Sequence, residues 1–137
     1  MIKPAYILGL MLFASTVSGI DGGHLDRLSA LSMLESGDND LAHGRSGEVS
    51  RFQMLKSVWK AHTRLPLAQA TNAITAQSVA VAVMKERVAG FIARHHREPT
   101  DAEFYKTWNP RCPDETAQRF ANLCKLKYNN TRKELTP

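Results

Sequence analysis

The longest uninterrupted run in the chain does most to limit its fold. After Asn72 comes "AITAQSVAVAVMKERVAGFIARHH", with no proline to end it. Its "VAVAV" centre reads locally like a strand, but the length of the run and the spacing of Val88, Phe91 and Ile92 select a helix, with Asn72 as its cap. The remaining segments follow the same period. Leu25, Leu28, Leu31 and Leu34 recur every third residue and form one buried face, with Asp21 as a cap near the start and an end expected at Ser36–Gly37. Phe52, Leu55, Val58 and Trp59 predict a second helix, cut off by Pro66. "TDAE" at Thr100–Glu103 is a capping-box pattern that opens a short helix bearing Phe104, Tyr105 and Trp108. After "NPRCP" a last helix carries Phe120, Leu123, Cys124 and Tyr128. With no repeat and no hairpin signal, the expected fold is mainly α, a single helical domain with an ordered loop at residues 37–50. Leu41, Ala42 and Val49 give that loop something to pack with.

The N-terminus reads separately. Lys3 is followed by "AYILGLMLFASTV", apolar and uncharged, and then by the small residues Ser18 and Gly19. The run is short for a bilayer span and has the layout of a secretory signal. The expected division is therefore residues 1–19 as signal peptide and 20–137 as the domain, in an exported, periplasmic or secreted protein. The formal charge of the 137-residue chain is +5, which favours anionic surroundings such as nucleic acid, acidic lipid or cell wall. Cys112 and Cys124 are too far apart to bridge along one helix, at roughly 18 Å. A disulfide would need Cys112 in a turn and the chain folded back; two buried thiols satisfy the sequence equally well.

Glu35 stands at the end of the leucine-faced helix. A carboxyl there meets the negative end of the helix dipole, and apolar neighbours would desolvate it, so both effects favour its protonated form. Such an acid can protonate a leaving oxygen, the requirement for cleaving a glycosidic bond. By position alone a solvated helix-end glutamate is the commoner case.

The residues around Glu35 add to this. "ESGDNDLAHGRSGEVSRFQM" resembles the signature of the lytic transglycosylase and goose-type lysozyme superfamily, in which the catalytic Glu-Ser is followed by a Gly/Asn/Asp-rich stretch, an alanine and a "G-A-x-G-L-M-Q" element. Glu35, Ser36 and Ala42 match the first part, and Gly47 to Gln53 line up with the second. "FYKTWN" resembles the later "A-Y-N" element, with Trp108 at the aromatic and Asn109 at the asparagine. Glu48 stands where alanine is usual, Ser50 replaces a glycine, and proline follows Asn109. The resemblance implies a lysozyme-like helical domain acting on the bond between muramic acid and glucosamine units of peptidoglycan. Glu35 would be the single general acid and base of a lytic transglycosylase.

A hydrolase instead needs a group to position water, and two-carboxylate inverting enzymes hold theirs roughly 6.5–9.5 Å apart. Asp38, Asp40 and Glu48 are the candidates, Glu48 foremost. Its alternative is a solvated loop residue paired with Arg45 or Arg51. Gln53 and Asn109 suit an N-acetyl amide or an internal loop tie. Trp108 suits a sugar face or the core, and Trp59 belongs to the core. Ser36 and Ser50 complete the expected substrate-binding set.

The five histidines lack metal-ligand spacing, and no phosphate-binding glycine loop or nucleophile elbow occurs, so neither a metal nor a cofactor is expected. "ARHHRE" complements the dipole at a helix end. The expected partner is peptidoglycan glycan, met by a monomer with no membrane span after processing. Nucleic acid is not expected, because the chain lacks an aromatic–basic stripe. The competing reading keeps the fold and drops turnover, leaving a peptidoglycan-binding or assembly module.

Overall fold

The computed structural model describes residues 22–134. The proposed signal segment, the Asp21 cap and the side chains of Leu25 and Tyr128 lie outside what it describes. The described residues are mainly α: α1 (Gly22–Ser36), α2 (Lys56–His62), a single 3-10 turn (Leu67–Thr71), α3 (Ala73–His95), α4 (Asp101–Trp108) and α5 (Asp114–Glu134). None of these helices is long and apolar enough to cross a membrane.

The long run is a helix throughout. Asn72 caps α3 by accepting the Thr75 N–H at 3.0 Å, and Ala76, Val79, Ala80, Val83, Met84 and Val88 form its buried stripe. A left-handed His96 (φ 57°) ends it. On α4 both halves of the capping box form: Thr100 Oγ1 accepts the Glu103 N–H, and the Glu103 carboxylate accepts the Thr100 N–H. Arg97 grips the same carboxylate with two nitrogens, and these donors together hold Glu103 down to about 2.

The second helix begins later than its apolar pattern suggests. Phe52 and Met54 are buried, yet they precede α2 and belong to the loop. Ser50 and Gln53 adopt left-handed backbone (φ 66° and 47°), and Val49 and Met54 exchange backbone hydrogen bonds of 3.0 and 3.1 Å. That tight reversal cannot be drawn into a helix, and Leu55, expected on the packed face, is 41% exposed. Trp59 is fully buried and its indole N–H is satisfied by the Leu65 carbonyl.

α1 and α4 both pack on α5, and α3 packs on α4. The α1–α4 relation is pinned by Arg27, which donates to Asp101 and to the Pro99 carbonyl, each at 2.8 Å, and lies over the Phe104 ring. Because this anchor aligns the two helices, the C-terminal end of α1 comes to rest beside the middle of α4. Cys112 is a half-buried thiol in the turn before α5, and Cys124 packs into the core from α5.

Candidate active site

Leu28 and Leu31 bury the inner face of α1 and so set the rotation of its last turn. That turn delivers Glu35, half-buried, to a cleft of about 640 Å³. Its walls come from the loop (Gly44, Arg45, Ser46, Glu48, Gln53) and from the end of α4 and the following turn (Trp108, Asn109, Pro110, Arg111). Left-handed Gly37 (φ 65°) and Asp38 (φ 63°) turn the chain away immediately after α1, which keeps the carboxyl at the mouth of the helix rather than under its next turn.

The carboxyl has one defined partner. Tyr105 donates its hydroxyl to Glu35 Oε1 at 2.7 Å. Burial pushes Glu35 above the usual carboxylate range and the negative charge of Glu48 adds to that, while the tyrosine bond pulls the other way without cancelling it. Tyr105 is itself pushed well up, mainly by burial and then by its bond to Glu35. It therefore remains a neutral donor. With Oε1 occupied as an acceptor, Oε2 is the oxygen left to carry the acid proton.

Glu48 is held rather than loose. Its Oε2 accepts the Ser46 N–H at 2.9 Å, and its carbonyl accepts the Gly44 N–H at 2.8 Å. A Cβ on Gly44 would lie 2.1 Å from Glu48 Oε2 and 2.8 Å from Gln53 Oε1. The bare Cα of Gly44 thus lets a carboxylate and a carboxamide converge on one wall of the cleft. Of the two alternative partners for Glu48, Arg51 is committed to Asp40 by bonds of 2.6 and 2.9 Å. Arg45 lines the cleft with Glu48.

Five of the expected residues meet at the cleft: Glu35, Glu48, Gln53, Trp108 and Asn109. Gln53 also serves the fold, donating Nε2 to the Ser50 carbonyl. Trp108 lies half-buried at the core's edge, so it takes part in both wall and core. Two expected contacts do not reach the cleft. Ser36 is spent inside the loop, donating to the Arg51 carbonyl at 2.8 Å and accepting the Asn39 N–H at 3.0 Å. Ser50 is buried, with its hydroxyl enclosed and without a hydrogen-bond partner among the described residues. The place of Ser36 follows from the loop's own hydrogen-bonding needs, since a reversal this tight uses a nearby hydroxyl to satisfy its backbone, whereas Ser50 is simply enclosed by the reversal. Asp38 and Asp40 are likewise engaged in tying the loop, to Ser32 and Arg51.

Tyr105 and Gly44 are the site residues that sequence reading passed over. Tyr105 stands three residues before Trp108 on a helix that the capping box had already located, so the two share a face. That spacing was the available signal. Among the described residues no group of three or more His, Cys, Asp or Glu could hold a metal ion.

The fold and cleft together define a mainly α domain with two carboxylates, one raised and tyrosine-bonded, on the walls of an open groove. No protein-family model matches the chain, and neither a curated protein nor a solved structure matches it.

Proposed function

We propose that this protein is an exported, lysozyme-like enzyme that cleaves the MurNAc–GlcNAc bond of peptidoglycan, with Glu35 as its general acid and base. The observation that carries the reading is the setting of Glu35: a carboxyl raised by burial, fixed through Oε1 by Tyr105, on the wall of an open cleft of about 640 Å³. The resemblance of Glu35-Ser36, Gly47 to Gln53 and Trp108-Asn109 to the lytic transglycosylase signature supplies the substrate class.

In the reaction Glu35 gives its proton to the glycosidic oxygen as the bond from that oxygen to C1 of the muramic acid breaks. The emptied carboxylate stabilises the positive charge developing at C1. The sugar's own 6-hydroxyl oxygen then bonds to C1, and its proton passes to Glu35, restoring the acid and leaving an anhydro end. The Glu48 side chain, held on the loop wall of the cleft by the Ser46 N–H, is placed to favour the positive charge that develops at C1. Gln53 and Asn109 offer both donor and acceptor to an N-acetyl group, and Trp108 lines the same cleft.

Clearing of purified cell walls by wild type and by Glu35→Gln tests the assignment. Wild type clears the suspension and the variant does not; equal clearing by both refutes Glu35 as the acid. The binding-module reading drew on the departures at Ser50 and at Asn109-Pro110. Ser50 is buried away from the cleft, so only the second departure touches the proposed substrate path. Walls that retain the protein but release no soluble fragment would favour that reading.

A further inference from the structure

A second and larger cleft, of about 800 Å³, lies between α3 and α4. It meets the first at Pro110, which lines both. Its charges are unevenly matched. Both of its acids already have partners: Glu103 is held by the two-nitrogen grip of Arg97, and Glu86 is hydrogen-bonded to His62. Among its cations, Arg87 is spent in tying α3 to the Thr107 carbonyl at 3.0 Å, and Lys106 pairs with Asp114. Arg94 has no ion-pair partner among the described residues, and its guanidinium lies over the open Cα of Gly90, 3.5 Å from where a Cβ would be. Beside it the exposed His95 ring is stacked on Phe91 at 4.2 Å, so a flat ring and a free guanidinium line the same trough.

We infer that the α3–α4 cleft binds the carboxylate-bearing peptide stem of the peptidoglycan strand, with Arg94 as the principal contact. The inference rests on the proposed glycan-cleaving function, which places muramic acid residues in the first cleft. Stems branch from the lactyl group of muramic acid, so a strand seated there must send its peptides out over the groove's edge, and Pro110 is an edge beyond which a second trough opens. Free carboxylates on such a stem match an unpaired, planar, two-pronged guanidinium. The chain's net positive charge adds attraction at longer range.

The test needs no turnover. Isotope-labelled full chain carrying Glu35→Gln is titrated with a soluble stem tetrapeptide bearing free carboxylates, with the same peptide fully amidated, and with inorganic phosphate, while amide signals are followed by NMR. The free-carboxylate peptide is expected to shift Gly90, Arg94, His95 and Lys106, to bind about tenfold more tightly than the amidated form, and to lose that advantage in Arg94→Gln and Arg94→Glu. Equal binding of the two peptides, shifts confined to other helices, or phosphate binding as tightly as the peptide would each overturn the assignment. Wall clearing by wild type without peptide binding would sink this inference alone. Absence of clearing, in contrast, would sink the functional reading whatever the peptide does.

Discussion

Replacing Tyr105 by phenylalanine removes one oxygen from the site and leaves the ring where it is. The ring is buried and stacked on Phe120 at 5.0 Å between centroids, so its packing persists. What disappears is the 2.7 Å bond to Glu35 Oε1. A hydrogen bond to a charged group is worth about 1.5–3 kcal/mol. The tyrosine can also bond the protonated acid, so the differential effect belongs at the lower end, about tenfold in the ratio of protonated to ionised Glu35. The sign follows from the direction of the bond: it favours the carboxylate, so its loss lets burial raise Glu35 further. The assays are a carboxyl NMR titration of Glu35 and the pH profile of wall clearing. In Tyr105→Phe the Glu35 titration moves to higher pH, and so does the limb on which activity falls as pH rises. The maximal rate drops as well, because the carboxyl loses its fixed orientation. A titration that stays in place or moves to lower pH would refute this account of how Glu35 is tuned.

Glu35→Gln should stabilise the fold at neutral pH by about 0.5–2 kcal/mol, as loss of a strained active-site group commonly does. The folded-state value of Glu35 lies above its unfolded value of 4.5, so its destabilising effect is absent below that pH and grows as pH rises through the folded value. Denaturant melts of the two proteins should therefore converge in acid; a constant gap would contradict the reasoning. Gly44→Ala drives a Cβ into the ends of Glu48 and Gln53 and displaces their bonds to the Ser46 N–H and the Ser50 carbonyl; melts should show a loss of about 0.5–1.5 kcal/mol, while wall clearing falls about tenfold as that wall is displaced. Phe52→Ala should cost about 3–5 kcal/mol by urea melt, since the ring is only 2% exposed although it lies outside any helix.

The helices were legible where a local rule decides them. Asn72 and the Thr100–Glu103 box act within four residues of chain, and both cap as the pattern requires. Glu35 was legible because leucine spacing and the glycine after it fix both the face and the end of α1. The start of α2 was not. Phe52 and Met54 carry the right polarity for a helix, but the backbone at Ser50 and Gln53 crosses into left-handed conformations, which apolar spacing does not report. Ser36 was misplaced for a related reason: a motif shows that a hydroxyl is required, not whether substrate or backbone requires it, and the burial of Ser50 follows from the same left-handed reversal. The meeting of Tyr105 with Glu35 spans 70 residues and depends on Arg27 aligning α1 with α4. No local pattern encodes that. The Arg51–Asp40 clamp is likewise a choice among several nearby charges that only the folded loop makes.

Mass spectrometry of the soluble fragments released from purified walls tests the central claim most directly. Wild type is expected to release muropeptides ending in anhydro-muramic acid, and Glu35→Gln to release none. Reducing ends would keep Glu35 as the acid but replace the internal 6-hydroxyl by water, with Glu48 as the group to position it. Fragments of either kind from Glu35→Gln at the wild-type rate, or none from wild type, would contradict the account.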